Sequence, residues 1–205
     1  MIRFSPIKVA LAAAGAFALS GCALLSSPDP VQTYRFGGNA SASAPSEGRA
    51  GLRQVSLRRV QFPEAVEGDK LLSVTGTETA YIAGARWVSP AGDLFMESLE
   101  NAFAAQAGRV RLLGPRELTR GDRSLDIDVR AFEARYEAPG ATPTVVVTAR
   151  ARLLVLPERT VMAERTFTVE QPAAANRVSA IVEAFDVATR DLNTQIVDWT
   201  DANAG

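Results

Sequence analysis

Leu125-Asp126-Ile127-Asp128-Val129-Arg130-Ala131 alternates apolar and charged residues without a break. A period of two places Leu125, Ile127, Val129 and Ala131 on one face of a strand, and Asp126, Asp128 and Arg130 on the other. Such a strand belongs to a sheet that is covered on one side and wet on the other. The strand extends to about residue 136. A β-branched stretch over 144–156 follows across a Gly/Pro loop, and another over 160–170 follows the tight Pro157-Glu158-Arg159 turn. Together they predict a three-stranded antiparallel meander.

Two segments have the pattern needed to cover the apolar face. In 89–107, Ser89 is placed to cap a helix and Pro90 suits its first position. Asp93 lies near the positive end of the dipole, Phe95, Met96, Leu99, Ala102 and Phe103 form a stripe, and Gly108 closes it. In 176–199, Asn176 is the cap, and Val178, Ile181, Val182, Phe185, Leu192, Ile196 and Trp199 recur at three- and four-residue steps. Short strands are predicted over 33–36, 52–62, 70–74, 78–83 and 109–113. The phase of 52–62 slips at Arg58-Arg59, which predicts a bulge. The stretches 70–74 and 78–83 flank Gly76 as a hairpin. The fold class is therefore α+β: a largely antiparallel sheet with two main helices packed on it, in the order strands, helix, meander, C-terminal helix.

The chain of 205 residues carries 22 basic and 23 acidic groups, 47% hydrophobic residues and no histidine. That composition supports a packed core and lacks the basic excess of a nucleic-acid binder. With one cysteine and no histidine, zinc sites and His-dependent triads lose their parts. Lys70 is the only lysine after Lys8, and neither a phosphate-binding loop nor a dinucleotide fingerprint appears. No cofactor and no metal are expected, and no enzymatic activity.

The N-terminus starts with Arg3 and Lys8, runs apolar from Val9 to Leu19, and ends Leu19-Ser20-Gly21-Cys22. The run is too short for a comfortable membrane span and fits a cleaved export signal. A plain secretory signal would not explain a lone cysteine directly after two small residues. The tetrapeptide resembles the lipobox of bacterial lipoproteins. The resemblance implies cleavage before Cys22 and acylation of its thiol and its new amine. The chain then divides into a lipoprotein signal peptide (1–21), a lipidated tether (22–32), a folded domain (33–201) and a tail (202–205). Without the signal, 20 basic groups face 23 acidic ones, a net charge of −3. Ser26-Ser27-Pro28-Asp29-Pro30 reads as an extended spacer, and 37–51 as a Gly/Ala/Ser-rich loop.

Several constellations invite a chemical reading. Asp126 and Asp128 share a strand face, as acid–base or metal-binding carboxylates would. The preferred reading is a solvated face with Arg130 alongside, because catalytic carboxylates need an opposed partner across a cleft. Arg58-Arg59 and Arg109/Arg111 could meet anionic headgroups, but pairing with nearby carboxylates on an exposed sheet is the simpler reading. Arg150 and Arg152 read the same way. Arg86-Trp87, just ahead of a helix, is either a partner-contact anchor or a structural one. In the structural reading, the ring fills the corner between helix and sheet while Arg86 pairs locally. Trp199 is expected in the core.

A lipobox, then Thr33-Tyr34-Arg35-Phe36, then Tyr81-Ile82-Ala83-Gly84-Ala85-Arg86-Trp87, then Pro90 and Leu94-Phe95-Met96-Glu97-Ser98-Leu99 resembles the ABC-type transport auxiliary lipoprotein family, which includes the paraquat-inducible protein C type. The resemblance spans about residues 33–199. It implies a periplasmic lipoprotein of a diderm bacterium that works beside an ABC permease, its ATPase and a mammalian-cell-entry-domain protein. Such systems move phospholipid or other hydrophobic molecules. It implies no catalytic residue, and a docking role would suit a symmetric homo-oligomer. Ala23 after Cys22, with no aspartate there, implies sorting to the outer membrane. The competing class is a lipoprotein activator or assembly factor of another envelope machine, for cell-wall synthesis or a pilus.

Overall fold

The structure, a computed structural model, describes residues 31–38, 51–115, 117–119 and 121–204, leaving aside the side chain of Arg59. The expected signal, Cys22, most of the tether and most of the 37–51 loop lie outside the described residues. The elements are β1 (Gln32–Tyr34), β2 (Arg53–Gln61), α1 (Glu64–Glu67), β3 (Lys70–Thr75), β4 (Glu78–Trp87), α2 (Ala91–Gln106), β5 (Val110–Leu113), β6 (Arg123–Tyr136), β7 (Thr144–Val155), β8 (Thr160–Pro172) and α3 (Val178–Asn203). The fold is α+β.

β6 organises the eight-stranded sheet. Along one edge it pairs antiparallel with β7, from Arg123 opposite Val155 to Arg135 opposite Thr144, and β7 pairs in turn with β8. The predicted meander is present. The other edge of β6 is shared. β2 lies parallel to Arg123–Asp128 and β3 lies parallel to Ala134–Tyr136. β5 extends the sheet from β2, while β4 and then β1 extend it from β3. The long ladders are antiparallel, and the strands from the first half of the chain add four shorter parallel pairings. Strand alternation says which face is apolar but not which neighbour a strand takes.

The inward face carries Leu125, Ile127 and Val129 of β6 with Val145, Val147, Ala149, Ala151 and Leu153 of β7, all buried. β6 then departs from the expected alternation. Its ladder slips between Val129 and Ala131. The extra residue hands the inward positions to Phe132 and Ala134, both buried, and leaves Ala131 only half-buried. β2 carries the predicted bulge, between Leu57 and Val60. α3 covers β7 and β8 with Ile181, Phe185, Ala188, Leu192 and Ile196, and α2 packs beside it through Leu94, Phe95, Leu99 and Phe103. Each of the leucine, isoleucine and phenylalanine side chains contributes about 1.5–3 kcal/mol of burial.

Both helix starts differ from expectation. Pro90, not Ser89, is the N-cap of α2, and no side chain caps it. The Ala91 N–H instead donates to the Gly68 carbonyl at 3.0 Å, so a backbone group supplies what a serine would. At α3 the N-cap is Arg177. Asn176 is occupied elsewhere: its Nδ2 donates to the Gly140 carbonyl at 3.1 Å and its Oδ1 accepts from the Tyr136 hydroxyl at 3.3 Å. At the far end of α3, Asp201 accepts the N–H groups of Gly108, Arg109 and Val110 at 2.9–3.1 Å and so ties the α2–β5 link to the last helix. Asp201→Ala strips three donors of a charged acceptor. It is expected to cost about 2 kcal/mol and lower the melting temperature by about 4–8 °C, measurable by thermal denaturation.

Candidate functional site

The first described segment straps the two helices together. After β1, Phe36 turns inward, and its ring meets Trp87 at 5.0 Å and Phe132 at 5.2 Å. Arg35 forms an ion pair with Glu97 on α2. The Gly37 N–H donates to Asp186 Oδ1 on α3 at 2.7 Å. Gly37 has φ +70°, and a Cβ there would lie 2.5 Å from Ser98 Cβ. Ser98 in turn accepts from Asn193 Nδ2 at 3.0 Å, a buried polar link between α2 and α3. Only glycine suits both the backbone angle and this contact. Gly37→Ala is expected to cost about 2–4 kcal/mol through left-handed strain and overpacking. A melt shifted by less than a degree or two would refute that account of the strap.

Arg86 and Trp87 end β4 where the chain turns into α2. The Trp87 ring is 2% exposed and packs edge-on against Phe36 at 5.0 Å and Phe185 at 5.4 Å. Its indole lies in the core and offers no surface for a partner. Its Nε1 has no hydrogen-bond partner among the described residues. Its backbone N–H donates to the Asp69 carbonyl at 2.7 Å. Arg86 Nη1 donates to both carboxylate oxygens of Asp69, at 2.9 and 3.1 Å, near the surface. Asp69 thus clamps both residues of the pair by side chain and backbone. Trp199 packs on Phe167 at 6.0 Å, partly buried.

The outward face of the sheet is a lattice of opposite charges. Asp126 faces Arg58 and Arg152, each at 3.6 Å. Arg130 meets Asp128 at 2.6 Å, and Arg150 meets Glu164 at 2.7 Å. The hydrogen bond from Arg150 holds the Glu164 carboxyl below its usual range against the opposing pull of desolvation. Stability from this pair is therefore present above the ordinary glutamate pKa and is lost as pH falls through the lowered one. Exposed pairs of this kind contribute little, because solvent screens them. Asp126 and Asp128 each neighbour an arginine, the arrangement of a solvated strand face. Arg111 pairs with Glu117 at 2.9 Å. Among the described residues no group of three or more acidic or sulfur ligands is placed to hold a metal.

A groove of about 720 Å³ opens between β2, α1 and the start of α2. Apolar Val60, Phe62, Pro90 and Met96 and the charged Arg58, Glu64, Glu67 and Asp93 line it. Gly92 faces the Phe62 ring, where a Cβ would make an ordinary contact at 3.5 Å. Sequence reading missed this groove, and it missed Asp69, Asp186 and Phe132. Arg86 for Asp69 and Gly37 for Asp186 lie 17 and 149 residues away, and the ring partners of Phe132 come from four other parts of the fold, beyond the reach of any local pattern. No described helix is long and apolar enough to cross a membrane.

Comparison with known proteins places this geometry. Residues 34–197 match the family model for ABC-type transport auxiliary lipoprotein components. A crystal structure of a Xanthomonas campestris protein is 26% identical, covers 84% of this chain and 96% of its own, and superposes with a TM-score of 0.69. A second, uncharacterized protein shares the fold at 15% identity and TM-score 0.64, over 83% of this chain and 99% of its own. A hypothetical protein of Chlamydia trachomatis does so at 8% identity and TM-score 0.51, over 75% of this chain and 98% of its own. No curated protein matches the chain.

Proposed function

We propose a function from one established premise: this chain belongs to the family of ABC-type transport auxiliary lipoprotein components. Membership makes it an auxiliary lipoprotein of an ABC transport system. The finer reading is that lipid on Cys22 anchors the domain at the periplasmic side of the outer membrane. There it docks a mammalian-cell-entry-domain protein, whose permease and ATPase lie in the inner membrane. The cargo class is phospholipid or another hydrophobic molecule, and the domain itself performs no chemistry.

The observation that carries this reading is the family match over residues 34–197, directly behind Leu19-Ser20-Gly21-Cys22. Ala23 supports outer-membrane sorting, since no aspartate follows the cysteine. The tether suits a docking part, because a proline-punctuated polar spacer lets a folded domain search the space near its membrane. The test is gentle detergent extraction of the tagged full chain from its own cells. Co-purification of the mammalian-cell-entry-domain protein with permease and ATPase is expected. Recovery of cell-wall or pilus machinery instead would favour the competing class.

A further inference from the structure

The groove between β2, α1 and the start of α2 presents apolar surface that the fold leaves uncovered. Val60, Phe62 and Met96 line it; each packs against the core yet stays only half-buried. The Phe62 ring is held edge-on by Phe95 and by Phe132, both at 5.6 Å. The neighbouring backbone is tied down as well. The Gly68 carbonyl accepts the Ala91 N–H at 3.0 Å, and the Ala65 carbonyl accepts the Tyr81 hydroxyl at 3.1 Å. α1 is thereby fixed to α2 and to β4. Apolar surface held in place this way loses little further freedom when something binds to it. Its volume of about 720 Å³ falls within the range of about 300–1,000 Å³ typical of binding clefts.

The charges in the lining are unbalanced. Glu64, Glu67 and Asp93 are exposed, and none makes a side-chain hydrogen bond or ion pair among the described residues. Arg58, the basic residue of the lining, faces Asp126 at 3.6 Å. The outward face of the sheet sets arginines beside its carboxylates; this groove does not. Asp93 has a local reason to be acidic, since it lies in the first turn of α2. Glu67 has none, because it ends the single turn of α1. Carboxylates at i and i+3 stand on one side of a turn and repel each other, while Val66 between them is buried. The three carboxylates do not share one ion: among the described residues no such group is placed to hold a metal. Spread negative charge beside apolar surface calls for spread positive charge on an apolar body.

We propose that this groove binds a segment of a partner protein in which a bulky apolar side chain is flanked, within two residues, by lysine or arginine. The apolar side chain covers Val60, Phe62 and Met96, and the flanking cations meet Glu64, Glu67 and Asp93. Arginine suits the carboxylates best, because its planar fork can hold both oxygens at once. Binding also relieves the repulsion between Glu64 and Glu67. A phospholipid fits poorly. Its phosphate would meet three carboxylates, and its acyl chains would strip water from them without supplying a partner. The inference holds whichever envelope machine supplies the segment, so it does not rest on the transport reading.

The test is photo-cross-linking of the full chain in its own cells, with benzoylphenylalanine in place of Gly68. Gly68 lines the groove, has φ −82°, and a Cβ there meets nothing within 4 Å, so a side chain is accommodated. Thr166, exposed on the outward face of β8, is the control position. A protein adduct is expected at 68 and not at 166. Mass spectrometry of the cross-linked peptide should find a bulky apolar residue with lysine or arginine within two positions. The double variant Glu64→Lys, Glu67→Lys should lower the adduct yield at least about fivefold, as like charges now face each other. Both changes are on the surface, so the melt should stay within about 1 °C. The pair Glu64→Gln, Glu67→Gln, which keeps the shape and removes the charge, should lower the yield by less. No adduct above the control overturns the inference. So does an adduct with lipid, with a second copy of this chain, or with a peptide lacking basic residues. A yield that charge reversal leaves unchanged, in protein that melts normally, overturns it too.

Discussion

Replacing Cys22 by serine is expected to move the whole population from the detergent-extracted membrane fraction to the soluble periplasmic fraction. Under the proposed lipidation, every acyl chain depends on that one residue. Each buried methylene contributes about 0.8 kcal/mol, and one chain binds only marginally, so stable anchoring needs the several chains that a lipoprotein cysteine carries. Losing the thiol removes the thioether-linked pair and the amine acylation that follows it, so once the signal is cleaved no lipid remains. The described fold begins at Val31, and its core closes with Phe36. The Cys22→Ser domain should therefore melt within about 1 °C of the parent, as for a change that touches no packed feature. Transport should nonetheless fail. Fractionation, a melt and a transport assay separate these outcomes. A serine variant that still supports full transport would sink the anchored-adaptor reading, and one that stays in the membrane fraction after its signal has been removed would sink lipidation at Cys22.

Much of the fold was legible locally, because period-two and period-3.6 patterns report which face of an element is buried. The meander, the α2 stripe and the bulge at Arg58-Arg59 all follow from that. What escaped is what patterns cannot encode. The second bulge, after Val129, is hidden because Arg130-Ala131-Phe132 reads acceptably in either phase. The parallel pairing of β2 and β3 along one edge of β6 depends on neighbours far apart in sequence. Ser89 and Asn176 have the chemistry of caps, yet the carbonyl of Gly68 and the turn at Gly140 decide the matter. At the candidate site, Trp87 was visible as a residue worth attention. The Asp69 clamp that orients it was not, because nothing near Asp69 in sequence marks it as a partner.

The aromatic cluster gives the strongest stability test. Phe132 is 2% exposed, and its ring meets Phe185 at 4.8 Å, Phe36 at 5.2 Å, Phe62 at 5.6 Å and Trp87 at 6.2 Å. These partners come from α3, the strap, the β2–α1 corner and β4. Phe132 sits in the inward position created by the β6 bulge. Phe132→Ala removes the shared ring, and four neighbours on four separate elements cannot collapse together into the space. A cost of about 3–5 kcal/mol is expected from the cavity, with lost ring contacts adding about 0.5–1.5 kcal/mol each before relaxation. Against a total stability of about 5–15 kcal/mol, the melting temperature should fall by about 10–20 °C. Phe132→Leu keeps most of the volume and should cost less than about half as much. Val161→Ala, at an exposed position of β8, should change stability by at most about 0.5 kcal/mol. If Phe132→Ala melts as mildly as Val161→Ala, the ring is not the joint between strap, sheet and helix. If it melts early while Phe132→Leu does not, filled volume at that joint holds Phe36, and through it the point where the tether enters the fold.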